Sequence, residues 1–178
     1  MSNRTDFILK VLNVITWIAF IGLCIESGAL IFNFIYSIYK PIVTHNIYKG
    51  LDLYSLYSKS VTHFIVLMSF VLVISILKAY LFYLVVKIFM KLNFVKPFSI
   101  EIAKLIETIS FEVLSIAIVG AIAQQYTKKL EYSGYEISTI QRYWNDTAAF
   151  LIMAATIYVI AQVFKKGIEL QNENDLTV

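Results

Sequence analysis

Three ionisable residues stand where an apolar chain can least accommodate them: Glu26, Lys78 and Glu112, each inside a long hydrophobic stretch. A charge at mid-bilayer costs from ~3 kcal/mol upward unless it is paired, hydrated or neutralised. Paired, such residues fix which helix faces which; they add little net stability, but removing one partner is severe. Hydrated, they line a path for an ion, a proton or a small solute. Depth follows from a rise of about 1.5 Å per helical residue. Glu26, sixteen residues after Lys10, lies ~24 Å along its segment, and Lys78, thirteen before Lys91, lies ~20 Å along its own. The two levels match, and the spacing predicts that Glu26 meets Lys78. Glu112, eight residues after Lys104, lies ~12 Å in and nearer the cytoplasmic end. Gly22, Glu26, Ala29 and Asn33 follow i, i+4, i+7, i+11 spacing. That small, polar face is expected to turn to the protein interior. A structural ion pair is the simpler reading. A conduit of this size would need to oligomerise or to carry inverted repeats and broken helices, and the sequence has neither of the latter.

The elements that hold these residues follow from composition. With 59% hydrophobic residues, 15% charged residues and a mean hydropathy of +0.73, the 178-residue chain is too apolar for one soluble core. The bilayer is therefore its solvent and its first partner. A hydrocarbon layer about 30 Å thick needs roughly 20 apolar helical residues per crossing. Stretches bounded by charge predict an all-α, polytopic membrane protein with four transmembrane helices in one bundle, at about residues 11–36, 61–86, 102–126 and 147–164. The third is the weakest on hydropathy, because it carries Lys104, Glu107 and Glu112. The runs are too unalternating for barrel strands, and the first is too long and lacks the cleavage site of a signal peptide. Pro41 and Pro97 fall between spans, where they interrupt no helix. Ser99 can cap the third span with Glu101 in its first turn, and Asn145 or Asp146 can cap the fourth. No internal repeat, low-complexity tract or linker divides residues 1–178, which read as a single domain with a short cytoplasmic tail, 167–178.

Signatures of catalysis are missing from the sequence. There is no H-E-x-x-H, no G-x-S-x-G and no G-x-x-x-x-G-K. His45 and His63 have no obvious carboxylate or cysteine near in sequence to complete a metal site, and the single cysteine, Cys24, excludes an intramolecular disulfide. No catalytic, cofactor-binding or metal-ligating residue is expected, and no cofactor. The net charge of +3 forms no basic cluster, so direct nucleic-acid binding is not expected either.

Lysine and arginine near the spans set the orientation. With the N-terminus inside, Arg4, Lys10, Lys87, Lys91, Lys96, Lys104, Lys165 and Lys166 are cytoplasmic, against Lys40, Lys49, Lys59, Lys128, Lys129 and Arg142 outside. Nine of the twelve tyrosines, with Trp144, then lie at or beyond the outer face, where amphipathic rings favour the interface. Those rings either anchor helix ends under a short outer cap or form a ligand-sensing surface.

The stretches LKAYLFYL, KLNFVKPFS and VFKKGIELQNENDLTV resemble a bacterial family of small four-helix integral membrane proteins of unassigned function. The resemblance covers most of the chain and is most specific at Pro97, Phe98 and Ser99 and at the ending 167–178. It implies a multi-pass protein of the bacterial cytoplasmic membrane, of a kind often encoded beside a small Cro/C1-type helix-turn-helix regulator. Lys165 and Lys166 are expected to stop the fourth span and Gly167 to end it. Leu170, Leu176 and Val178 lie among Glu169, Glu173 and Asp175. These three apolar residues suit docking, either to the Pro97-Phe98-Ser99 loop or to a cytosolic protein; simple disorder of a chain end is the alternative. The expected function is a non-enzymatic, membrane-side regulator that binds a small transcription factor. The alternative is a small transporter, channel or immunity-type protein that uses Glu26, Lys78 and Glu112. Homo-oligomerisation is compatible with either.

Overall fold

Long apolar runs without an internal proline give long helices. The computed structural model describes residues 3–91 and 99–175, with side chains over 7–91 and 99–173. In chain order these are α1 (Asn3–Tyr39), a 3-10 turn at Pro41–His45, α2 (Tyr54–Lys59), α3 (Val61–Lys91), α4 (Ile100–Tyr132), a second 3-10 turn at Ser138–Tyr143, and α5 (Thr147–Asp175). Among the described residues there is no strand. The chain is an all-α polytopic membrane protein, with four helices long and apolar enough to cross a bilayer. Each of the four runs past the span read from hydropathy, because the helical hydrogen-bond ladder does not stop where the apolar residues do.

Much of the apolar surface faces away from protein. Of the most apolar stretch of α3, 44% is buried within the fold, against 6% for α1. Exposed side chains on α1 include Phe7, Ile18, Ile25 and Phe32. In water such a surface would drive aggregation, whereas in hydrocarbon it meets its own solvent. Among the described side chains of α1 the buried ones are Thr16, Ser27, Leu30 and Ser37, at helical spacings of eleven, three and seven. This stripe corrects the expected one. Glu26, Ala29 and Asn33 are half-buried at its edge, and Gly22 is exposed with nothing within 4 Å of where its Cβ would be. The buried stripe is shifted by one position and is rich in small hydroxylated side chains, which allow close approach; two of the three bond their own backbone. Thr16 Oγ1 donates to Leu12 O at 2.8 Å and Ser37 Oγ to Phe34 O at 2.7 Å.

Contacts gather the chain into two units, whose boundaries fall inside α1, α3 and α4 and at the start of α5. The first comprises residues 1–21, 80–115 and 148–178. Its core holds Leu81, Leu84, Ile102, Val113 and Ala161. Phe20 meets Tyr83 at 5.9 Å between ring centroids, and Phe111 meets Tyr158 edge-on at 6.1 Å. Ser99 starts α4 as the sequence suggests, accepting a hydrogen bond from Ile102 N at 3.3 Å. Gly167 does not end α5. It lies inside a helix that continues to Asp175, and its φ is not positive. Glycine ends a helix by turning left-handed; one that stays right-handed costs only about 1 kcal/mol relative to alanine. Ile168, Glu169, Leu170 and Gln171 then carry the ladder on, and Lys166 Nζ reaches Glu169 Oε2 at 2.7 Å across one turn. Residues 167–175 of the expected tail are therefore helical.

The second unit comprises residues 22–79 and 116–147. It contains all nine tyrosines assigned above to the outer face, and Trp144. Its loops form a packed cap, with Ile47, Leu51, Leu53, Leu56, Ile137 and Ile140 almost fully buried. Backbone polar groups in the cap are satisfied by distant partners. Leu53 N donates to Thr44 O at 2.8 Å, Asn33 Nδ2 to Ile47 O at 2.7 Å and Thr139 Oγ1 to Asp52 O at 3.2 Å. Gly120 makes the closest approach. A Cβ there would lie 2.7 Å from Thr147 Oγ1, which is itself held by Trp144 O at 2.7 Å.

Candidate functional site

Polar side chains of the second unit converge on two cavities. The first, of about 220 Å³, is lined by Glu26 from α1, Lys78 from α3, Tyr48 and Lys49 from the loop before α2, and Arg142 and Tyr143 from the second 3-10 turn. A tight turn builds it. Leu51 N donates to Tyr48 O at 3.0 Å, and the two central residues, Lys49 and Gly50, both have positive φ, at 45° and 78°. That is the pattern of a type I′ turn, which glycine adopts freely and lysine does not. The left-handed backbone costs Lys49 about 1 kcal/mol. Arg142 holds it there. Its Nη1 donates to Lys49 O at 2.7 Å and its Nη2 to Tyr48 O at 2.8 Å, so one planar guanidinium spans two consecutive carbonyls.

The turn swings the Lys49 ammonium over the cavity, where Nζ lies 3.8 Å from Glu26 Oε2 and 5.0 Å from the centre of the Tyr48 ring. The Lys49 side chain is 68% exposed and that of Glu26 28%. So exposed and long a contact is worth about 0–1 kcal/mol. Lys78 lines the same cavity, and the charges of Glu26 and Asp146 both act on it. The structure thus brings Glu26 and Lys78 to one cavity. It adds Lys49 and Arg142, residues 23 or more positions from Glu26 that depth along a helix could not reveal.

Glu112 belongs to the first unit, where its Oε1 is buried without a hydrogen-bond partner among the described residues. One ion pair of that unit is not among the sequence expectations: Lys165 Nζ donates to Glu107 Oε1 at 2.6 Å. Its signal was the run of lysines closing the fourth span at the level where the third begins. Lys91 also pairs with Glu101. Leu170 is 51% exposed on the α5 extension. Pro97, Phe98, Leu176 and Val178 lie outside the described residues.

The second cavity, of about 300 Å³, is lined by His45, Asp52, Tyr54, Ser55, Glu136 and neighbouring hydroxyl groups. His45 stacks on Tyr54 at 4.0 Å between centroids and its Nδ1 lies 3.4 Å from Asp52 Oδ2. Asp52, seven residues after His45, is the carboxylate that the sequence reading missed. The same side chain accepts from Tyr54 N at 2.9 Å through Oδ1, an Asx-type turn that leads into α2. His63 Nδ1 lies 2.7 Å from Tyr126 Oη, in an aromatic cluster with Tyr135. Among the described residues no three His, Cys, Asp or Glu side chains gather as metal ligands. Compared with family models, curated proteins and solved structures, the chain matches none.

Proposed function

We propose that the chain is a non-enzymatic protein of the bacterial cytoplasmic membrane that holds a small helix-turn-helix transcription regulator at the inner face. One observation supports this reading most: α5 continues as a helix from Lys166 to Asp175, about 13 Å beyond the lysines that close its apolar run. Residues 167–178 hold no lysine or arginine but include Glu169, Glu173 and Asp175. DNA-binding surfaces are basic, so an acidic stretch after Lys166 that also carries the apolar residues Leu170, Leu176 and Val178 complements one. The resemblance at residues 97–99 and 167–178 points to the same class of partner. With four crossings the two ends of the chain share one side, and the excess of eight over six basic residues supports the cytoplasm as that side.

A second reading, a small transporter, channel or immunity-type protein, draws on the cavity shared by Glu26 and Lys78. Co-purification of a cognate helix-turn-helix regulator from membranes separates the two. Deleting residues 167–178, or changing Leu170, Leu176 and Val178 to serine, abolishes capture while leaving insertion intact, and Glu26→Gln with Lys78→Met spares it. Capture that survives loss of residues 167–178, together with solute or proton flux that depends on Glu26, would establish the conduit instead.

A further inference from the structure

We infer that the cavity between Glu26, Tyr48, Lys49, Lys78, Arg142 and Tyr143 binds the oxyanion group of a small solute, such as a mono- or dicarboxylate or phosphate. Charge is the first reason. Lys49, Lys78 and Arg142 contribute three positive charges and Glu26 one negative; with the nearby Asp146 included, one positive charge remains in excess. The neighbouring cavity has the opposite character, with Asp52 and Glu136 beside His45. One cap therefore presents two polar recesses of contrasting sign, and only the first favours an anion. Size is the second reason. About 220 Å³ lies below the range of drug-sized pockets, which selects for a small, densely charged ligand.

The third reason is the way Lys49 is held. Its backbone has a conformation that lysine rarely adopts, and Arg142 clamps the carbonyls on both sides of its amide. Strain maintained by surrounding structure marks positions where a side chain must be presented in one direction. A turn with no role beyond reversing the chain would be served better by glycine at both central positions. Arg142 is the positioning residue: its guanidinium fixes the loop, while the Lys49 ammonium, mostly exposed and 3.8 Å from Glu26, is placed to close over an anion. Glu26 then serves as acceptor for a hydroxyl or ammonium on the same solute. A phospholipid headgroup offers the same oxyanion chemistry, so its source must be tested.

The experiment uses the full chain, purified in a maltoside detergent, with calorimetric titration of acetate, succinate and inorganic phosphate. Succinamide and putrescine serve as the uncharged and cationic comparisons. At least one anion is expected to bind saturably, with affinity falling as salt rises, while succinamide and putrescine do not. Lys49→Ala is expected to weaken binding at least tenfold, and Lys49→Arg to retain it. The exposed position of Lys49 keeps both variants folded, which circular dichroism checks. Competition by added phosphatidylglycerol, also dependent on Lys49, would identify the lipid headgroup as the natural source. Absence of competition identifies a free solute. The inference is overturned if no anion binds saturably, if Lys49→Ala binds as tightly as the parent, or if putrescine binds better than the anions. Deleting residues 167–178 leaves anion binding unchanged, so loss of regulator capture and loss of this site are separate results.

Discussion

Lys49 shows how one residue can carry a conformational cost that its neighbours sustain. A lysine with φ of 45° next to a glycine at 78° persists because two donors of one guanidinium grip the turn. The cost is testable without any ligand. Lys49→Gly is expected to raise unfolding stability by about 1 kcal/mol relative to Lys49→Ala, since both lack the ammonium and only one relieves the left-handed backbone. Denaturant titration in detergent, compared at equal slope, measures the difference; equal midpoints would mean the turn is not strained. At Glu26 the arithmetic differs from a simple pair. Removing one partner of an isolated buried ion pair costs about 3–5 kcal/mol. Because Asp146 also acts on Lys78, Glu26→Gln is expected to cost less than that, and Glu26→Gln with Asp146→Asn more than the sum of the two.

At the scale of elements, small residues govern how closely helices approach and where they stop. Gly120 on α4 lies against Thr147 at the start of α5, where a methyl group would meet Thr147 Oγ1 at 2.7 Å. That oxygen is fixed by its bond to Trp144 O and cannot swing away cheaply. Gly120→Ala is therefore expected to destabilise by about 1–3 kcal/mol, and Thr147→Ala on that background to recover most of the loss, as read from thermal unfolding. Gly167 has the opposite role, passing a helix on rather than ending it. Gly167→Ala should extend the helical signal of α5 slightly, by about 1 kcal/mol of local stability. Gly167→Pro should break the extension and lower regulator capture as far as full deletion does. Capture unaffected by Gly167→Pro would show that helicity past Lys166 is irrelevant to it.

For the molecule as a whole, the two sets of basic residues separate cleanly. Among the described side chains, Lys10, Lys87, Lys91, Lys104, Lys165 and Lys166 lie in the first unit, and Lys40, Lys49, Lys59, Lys128, Lys129 and Arg142 in the second. Reporter fusions after Lys10, Lys96 and Lys166 are expected to read cytoplasmic and a fusion after Lys49 external. An external reading at Lys96 would rule out four crossings.

Hydrophobic run length by itself determined that this chain is helical, with four segments able to cross the membrane, because the bilayer imposes one length and one requirement for internal backbone hydrogen bonding on any spanning segment. It also placed Ser99 at a helix start, since capping depends on residues three positions apart. The buried face of α1, the passage of α5 through Gly167 and the company kept by Glu26 were decided only in three dimensions. Periodicity offers several faces and packing chooses among them. A glycine permits two backbone conformations and its neighbours select one. The cavity around Glu26 gathers side chains from four separate stretches of the sequence, joined by an arginine that binds carbonyls 93 and 94 positions away, and such a bond leaves no periodic trace in the chain.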